Sequence, residues 1–180
     1  MAIDGLSSDD IKRIRDQVKI IAVVGLSPKP HRASHQVALY LQQQGYQIIP
    51  VHPQHQTILG LTCYPSLASI PFDVDMVDCF RSSEAMPALA DEVIAKGTKV
   101  MWMQLGIYHA DAATKARAAG ITVVMDRCPK IEFPLLGWIT YVSWTVFLGP
   151  DVRVIRVWFL ISFGWVCRIS RGYARLCCEC

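Results

Sequence analysis

Short uncharged runs and segments of helical period alternate along most of the chain. The run IIAVV at 20–24 has the length and β-branching of a buried strand. Residues 34–44 follow with Val37, Ala38 and Leu41 at helical spacing and Gly45 as the stop. Residues 47–51 predict a second strand, closed by Pro53. The stretch ILGLTCYPSLASIP reads as a crossing with a turn of helix near 66–69. Beyond it come a strand at 74–80, a helix at 83–96 with Gly97 past its end, and a strand at 100–105. A helix at 110–119 ended by Gly120 and a strand at 121–125 complete the series. Ahead of it all, Ile11, Ile14 and Val18 mark one face of a short opening helix, with Ser8 or Asp9 as its cap.

Strands that alternate with helices of ten or so residues build a parallel sheet covered on both faces. Right-handed crossovers then give an α/β, doubly wound, Rossmann-like sheet of about five strands. Ligands of such sheets sit beyond the strand C-termini, at the switch point. The loop at 25–33 belongs there, as do the strand ends at 52–55, 80–82 and 104–107.

Charge narrows the partners. The 180-residue chain carries a formal +3, but residues 1–137 hold 13 Lys+Arg against 13 Asp+Glu. The excess lies in 138–180, with five Arg and two acids. A neutral body has no electrostatic footprint for nucleic acid. Cys63, Cys79 and Cys128 are scattered through the body as reduced intracellular thiols are, and the opening MAIDGLSSDDIKRIRDQVK is polar. A cytoplasmic location is the expectation.

The first loop, GLSPKPHRAS, is built for an anion. Gly25 frees the backbone for a tight turn, and Ser34 is placed as the cap of the next helix, whose amides and dipole favour phosphate. Ser27 occupies the position where a dinucleotide fingerprint has its second glycine, and Pro28 and Pro30 remove two donors. Lys29 and Arg32 can replace them, Arg32 as a fork and Lys29 as a point charge. An NAD site also needs an acid at the end of the second strand, but IIPVHPQHQ offers His52 and His55 instead. That suits a nucleotide with an additional phosphate, and both NADP and coenzyme A qualify.

The segment IAVVGLSPKPHRASHQVALYLQQQGYQIIPVHP resembles the small bacterial CoA-binding proteins, which look like a free-standing CoA-binding domain of the succinyl-CoA synthetase alpha subunit. The blocks YPSLASIP, VDMVDCFRSSEA, VMWMQLGI and ITVVMDRCPKIE extend the resemblance over about 11–137. It implies a bound coenzyme A or acyl-CoA. By position, the ligand-touching loop falls on Pro28, Lys29, Pro30 and His31, flanked by Ser27 and Arg32. The segment ending the fourth strand falls on Met103, Gln104 and Leu105. The synthetase lysine after the second strand falls on His55, a weaker phosphate partner because histidine is mostly neutral at cytoplasmic pH. The synthetase's catalytic histidine lies in a second domain with no counterpart in this sequence. The resemblance therefore implies binding without catalysis. The alternative is a nucleotide-dependent enzyme, either an NADP oxidoreductase or an acyl-CoA ligase component acting with a partner chain.

Other clusters carry less. His31 with His35 and His52 with His55 have metal-pair spacing, but no acid or cysteine nearby completes a set, so no metal is expected. Asp75 and Asp78 bracket the third strand, and either could orient Arg81. Cys128 could exchange a disulfide with a thiol ligand, although a structural role is the more frequent one. Residues 138–180 are set apart, with four of five Trp, four of seven Cys and a terminal CCEC. Their uncharged runs fall short of the roughly 20 apolar residues that span a bilayer. We read them as an atypical extension, frame-shifted or membrane-attaching, outside a binding domain at 1–137. No protein partner is legible.

Overall fold

The computed structural model describes residues 3–136, 141–145 and 156–160. The chain divides into two units, Met1–Leu136 and Gly137–Cys180. In the first, α1 (Ser8–Gln17) leads into β1 (Ile20–Val24), α2 (Ala33–Gln43) and β2 (Gln47–Val51). A hairpin of β3 (Thr57–Ile58) and β4 (Leu61–Thr62) follows, then β5 (Met76–Cys79), α3 (Met86–Lys96) and β6 (Val100–Met103). The unit closes with α4 (Ala110–Ala118), β7 (Thr122–Val124) and α5 (Pro129–Leu135). The large sheet is wholly parallel with order β2-β1-β5-β6-β7, a doubly wound Rossmann-like α/β fold.

Period-two alternation divides the sheet into two buried faces. Ala22, Val24, Val77, Cys79, Met101, Met103 and Val123 face one way, against Met86, Leu89, Ala90 and Val93 of α3 and Ala112, Ala113 and Ala116 of α4. Ile21, Val23, Met76, Asp78 and Trp102 face the other way, where α1, α2 and α5 lie. On that side the rings of Trp102 and Phe133 meet edge to face, with centroids 5.6 Å apart. Both are fully buried, and each such side chain contributes about 1.5–3 kcal/mol of transfer free energy.

Several boundaries differ from the sequence reading, each for a local reason. Ser7, not Ser8 or Asp9, caps α1: its hydroxyl accepts from the amide of Asp10, whose carboxylate accepts from the amide of Ser7. α3 starts at Met86 after a separate 3₁₀ turn at Ser83–Ala85, and Pro87 sits in its first turn, where a missing N–H costs nothing. The β3–β4 hairpin turns through Leu59 and Gly60, both at positive φ. Leucine is a rare first residue for such a turn, so the hairpin left no sequence signal. α5 was hidden by its own Pro134, whose cost is small because the helix ends one residue later.

In the second unit β8 (Tyr141–Thr145) and β9 (Arg156–Leu160) pair antiparallel. The terminal CCEC lies outside the described residues. Among the described residues no helix is long and apolar enough to cross a membrane. A chain ending at Leu136 should melt in one cooperative transition by circular dichroism. Loss of that transition would make the remaining residues part of the core.

Candidate functional site

The C-terminal ends of β1, β2, β5 and β6 open onto a cleft of about 750 Å³. That volume suits a small organic ligand, for which about 300–1,000 Å³ is typical. β1 ends at Gly25, which has φ +85° and donates its amide to Val51 O at 3.0 Å. A Cβ at Gly25 would stand 2.3 Å from Phe80 O, so only glycine lets the chain leave β1 this close to the end of β5. Beyond the turn, the Ser27 amide donates to Ser34 Oγ at 3.1 Å and Ser27 Oγ accepts from the Lys29 amide at 3.2 Å. His35 Nδ1 lies 3.0 Å from Ser27 O. These bonds give the loop one shape.

Ser34 is not the cap of α2. Its hydroxyl is taken by Ser27, the cap position is Arg32, and no side chain caps the helix. The first-turn amides of α2 therefore lack the side-chain partner that the sequence reading gave them, and the positive helix end lies at the cleft.

Most of the predicted residues meet here. Gly25, Ser27, Pro28, Lys29, Arg32, Ser34, His52, His55, Arg81, Gln104 and Leu105 all line the cleft. Pro30, His31 and Met103 do not. Pro30 and His31 are exposed, and Met103 is fully buried because alternation turns it into the α3–α4 core. Neither acid of the third strand meets Arg81. Asp75 lies at the opposite end of β5, where it accepts from the amides of Lys19 and Ile20 and pairs with Lys99 at 2.8 Å. Asp78 lies beneath the cleft, bonded to Gln104.

The lining carries the cations Lys29, Arg32 and Arg81, the histidines His52 and His55 and, among the described residues, no carboxylate. The two imidazoles stand 4.6 Å apart. Partial burial holds the His52 pKa below its ordinary value, and the charges of His55 and Arg81 add to that. Cys128, at the start of α5, closes the floor. Burial pushes its thiol up, which keeps it neutral.

Sequence reasoning missed how that floor is held. Arg127 pairs with buried Asp4 at 3.0 Å, donates to Leu6 O at 2.9 Å and reaches Glu132 at 3.2 Å. Its carbonyl accepts from Trp102 Nε1 at 2.7 Å. Asp126, at φ +55°, accepts from the Gly106 amide at 2.7 Å. Together these bonds fasten the loop carrying Cys128 to the loop carrying Gln104. The MDRC block held the clue, but its main partner lies more than a hundred residues away, at Asp4.

Residues 19–134 match the CoA binding domain family, and the chain belongs to it. The uncharacterized protein YneT of Bacillus subtilis is 41% identical over 125 residues, which is 69% of this chain and 93% of that protein. A hypothetical protein from Pyrococcus horikoshii OT3 superposes with a TM-score of 0.73 at 40% identity, covering 76% of this chain and 96% of its own. The ADP-forming acetate–CoA ligase I of Archaeoglobus fulgidus is 25% identical over 120 residues, 61% of this chain and 18% of the ligase. The domain family thus occurs both in small proteins and inside a ligase more than five times the length of the match.

Asp78 has a measurable cost. Burial pushes its pKa up from 3.8 to about 7, against the hydrogen bond from Gln104. The folded pKa lies above the unfolded one, so stability falls as pH rises from about 4 to 7 and stays low above that. Asp78→Asn should therefore stabilise the protein at pH 8, by up to about 4 kcal/mol, and the gain should shrink toward pH 4. Denaturant titrations across that range check it. A gain independent of pH would mean that the carboxylate is not the source.

Proposed function

We propose that the cleft binds coenzyme A, free or acylated, and performs no chemistry on it. The observation supporting this most directly is the charge of the lining: among the described residues it has three cations, an uncapped helix end and no carboxylate. A carboxylate is what an NAD ribose needs and what a third phosphate would repel. Membership of the CoA binding domain family points the same way. In this reading Arg32 and Lys29 hold phosphate beside the first turn of α2, and Arg81, His52 and His55 face it across the cleft. Pro28 stiffens the loop, and Leu105 and Ile107 offer apolar surface to the arm of the ligand. The protein works in the cytoplasm, with Cys63, Cys79 and Cys128 as free thiols.

A second reading takes the domain as a ligase component that lends its bound coenzyme A to a partner chain. The partial match to the acetate–CoA ligase favours it. The two readings share the same ligand and differ in whether turnover appears when a partner is supplied.

Calorimetry should find coenzyme A bound more tightly than NAD, and equal or tighter NAD binding would overturn the reading. Arg32→Ala should weaken coenzyme A roughly ten- to hundredfold, since a charged hydrogen bond contributes about 1.5–3 kcal/mol, and Lys29→Ala should weaken it less.

Binding should also depend on pH through His52. A phosphate beside the imidazole favours its charged form, against the burial and the neighbouring charges that hold its pKa down, so the complex takes up a proton. Affinity should rise as pH falls through the region of the ordinary histidine value of 6.5 and level off below the free-state pKa. The rise should be smaller in His52→Ala. Calorimetry in buffers of different ionisation enthalpy measures the proton directly, and proton release would contradict the assignment.

A further inference from the structure

The coenzyme A reading accounts for the cations of the cleft but leaves a buried acid unexplained. Asp78 is completely buried in the middle of the sheet, between Val23 of β1 and Trp102 of β6. One carboxylate oxygen accepts from Gln104 Nε2 at 2.7 Å, and the other, Oδ2, has no partner. A core position gains nothing from such a group, and an apolar residue of similar size would avoid its desolvation. The acid therefore answers to something outside the core, and its one bond leads to the cleft.

Gln104 lies two residues beyond Trp102, so strand alternation sets it on the same face as Asp78 and immediately above it. It is nearly buried and it lines the cleft. A glutamine amide can present either its NH₂ or its oxygen to a neighbour, and the neighbour decides which. Oδ1 accepts in the ionised carboxylate and equally in the acid whose proton sits on the unpartnered Oδ2. Asp78 therefore turns Nε2 inward and leaves Oε1, which has no bond among the described residues, as the end facing the ligand. The turn that follows is held as well, by Ile107 N to Gln104 O at 2.9 Å and by Asp126 to Gly106 N.

We propose that Asp78 is a positioning residue, which fixes the Gln104 side chain so that its oxygen accepts an amide N–H from the pantetheine arm of the ligand. This rests on the coenzyme A reading and adds what the cleft recognises beyond phosphate. The cations hold the nucleotide end through charge. Gln104 reads the arm through a directed acceptor and rejects groups that offer only lone pairs at that point.

The test compares coenzyme A with adenosine 3′-phosphate 5′-diphosphate, which keeps the nucleotide end and lacks the arm. Calorimetry on the full chain should give both a measurable affinity. Asp78→Ala should lower the affinity for coenzyme A about tenfold, the worth of one hydrogen bond, and leave the nucleotide unchanged. Asp78→Asn keeps an acceptor of the same size but can also turn its NH₂ to Gln104, so its affinity for coenzyme A should lie between those of the wild type and Asp78→Ala. Gln104→Ala should show the same selective loss and serves if Asp78→Ala does not fold. Equal losses for the two ligands, or unchanged coenzyme A binding in both alanine variants, would overturn the positioning role and leave the coenzyme A reading standing. A wild-type chain that binds neither ligand would overturn that reading and this inference with it.

Discussion

The close approach of Gly25 to Phe80 sets the rest of the site. β1 and β5 are neighbours at the point where the strand order reverses, and the chain must leave β1 over the carbonyl that ends β5. The Gly25 amide reaches across to Val51 O, and the Phe80 amide reaches Val24 O at 2.9 Å. The ends of β2, β1 and β5 are stitched together there. A side chain at Gly25 would wedge this seam open and carry the 27–34 loop away from Arg81. One missing Cβ therefore keeps the turn that leads to Lys29 and Arg32 against the strand end that leads to Arg81.

The remaining architecture serves that geometry from below. Two apolar layers hold the sheet, and Asp78, a buried acid in its middle, leads upward to Gln104. The Arg127 cluster ties the N-terminal segment to the loop before α5 and so fixes the floor at Cys128. Stability is given up at Asp78, where an oxygen lies unpaired, and recovered in the packing of Trp102 against Phe133. The buried acid that weakens the core is tied to the cleft through Gln104.

How much of this could be read from the sequence follows from the range of each interaction. The five strands and the helices between them were legible because their signals are local: β-branched runs such as IIAVV, and glycines at 45, 97 and 120 just past helix ends. The first loop was legible as a wall of the cleft from its glycine and its place after the first strand. The cap was misread because Ser34 looks like a cap locally, whereas its hydroxyl is claimed by Ser27 seven residues earlier. Met103 was carried into the site with its neighbours, though alternation sends adjacent residues to opposite faces. The bond between Asp78 and Gln104 and that between Arg127 and Asp4 span 26 and 123 residues, and nothing local announces either.

Family membership and the cleft's charge converge on one ligand class, while catalysis has no residue assigned to it. Native mass spectrometry of the full chain as purified tests that central claim most directly. The account predicts an added mass equal to coenzyme A or one of its thioesters on the wild-type chain, and its loss from a folded Gly25→Ala variant. An added mass matching a dinucleotide without the third phosphate, or a coenzyme A adduct untouched by Gly25→Ala, would contradict it.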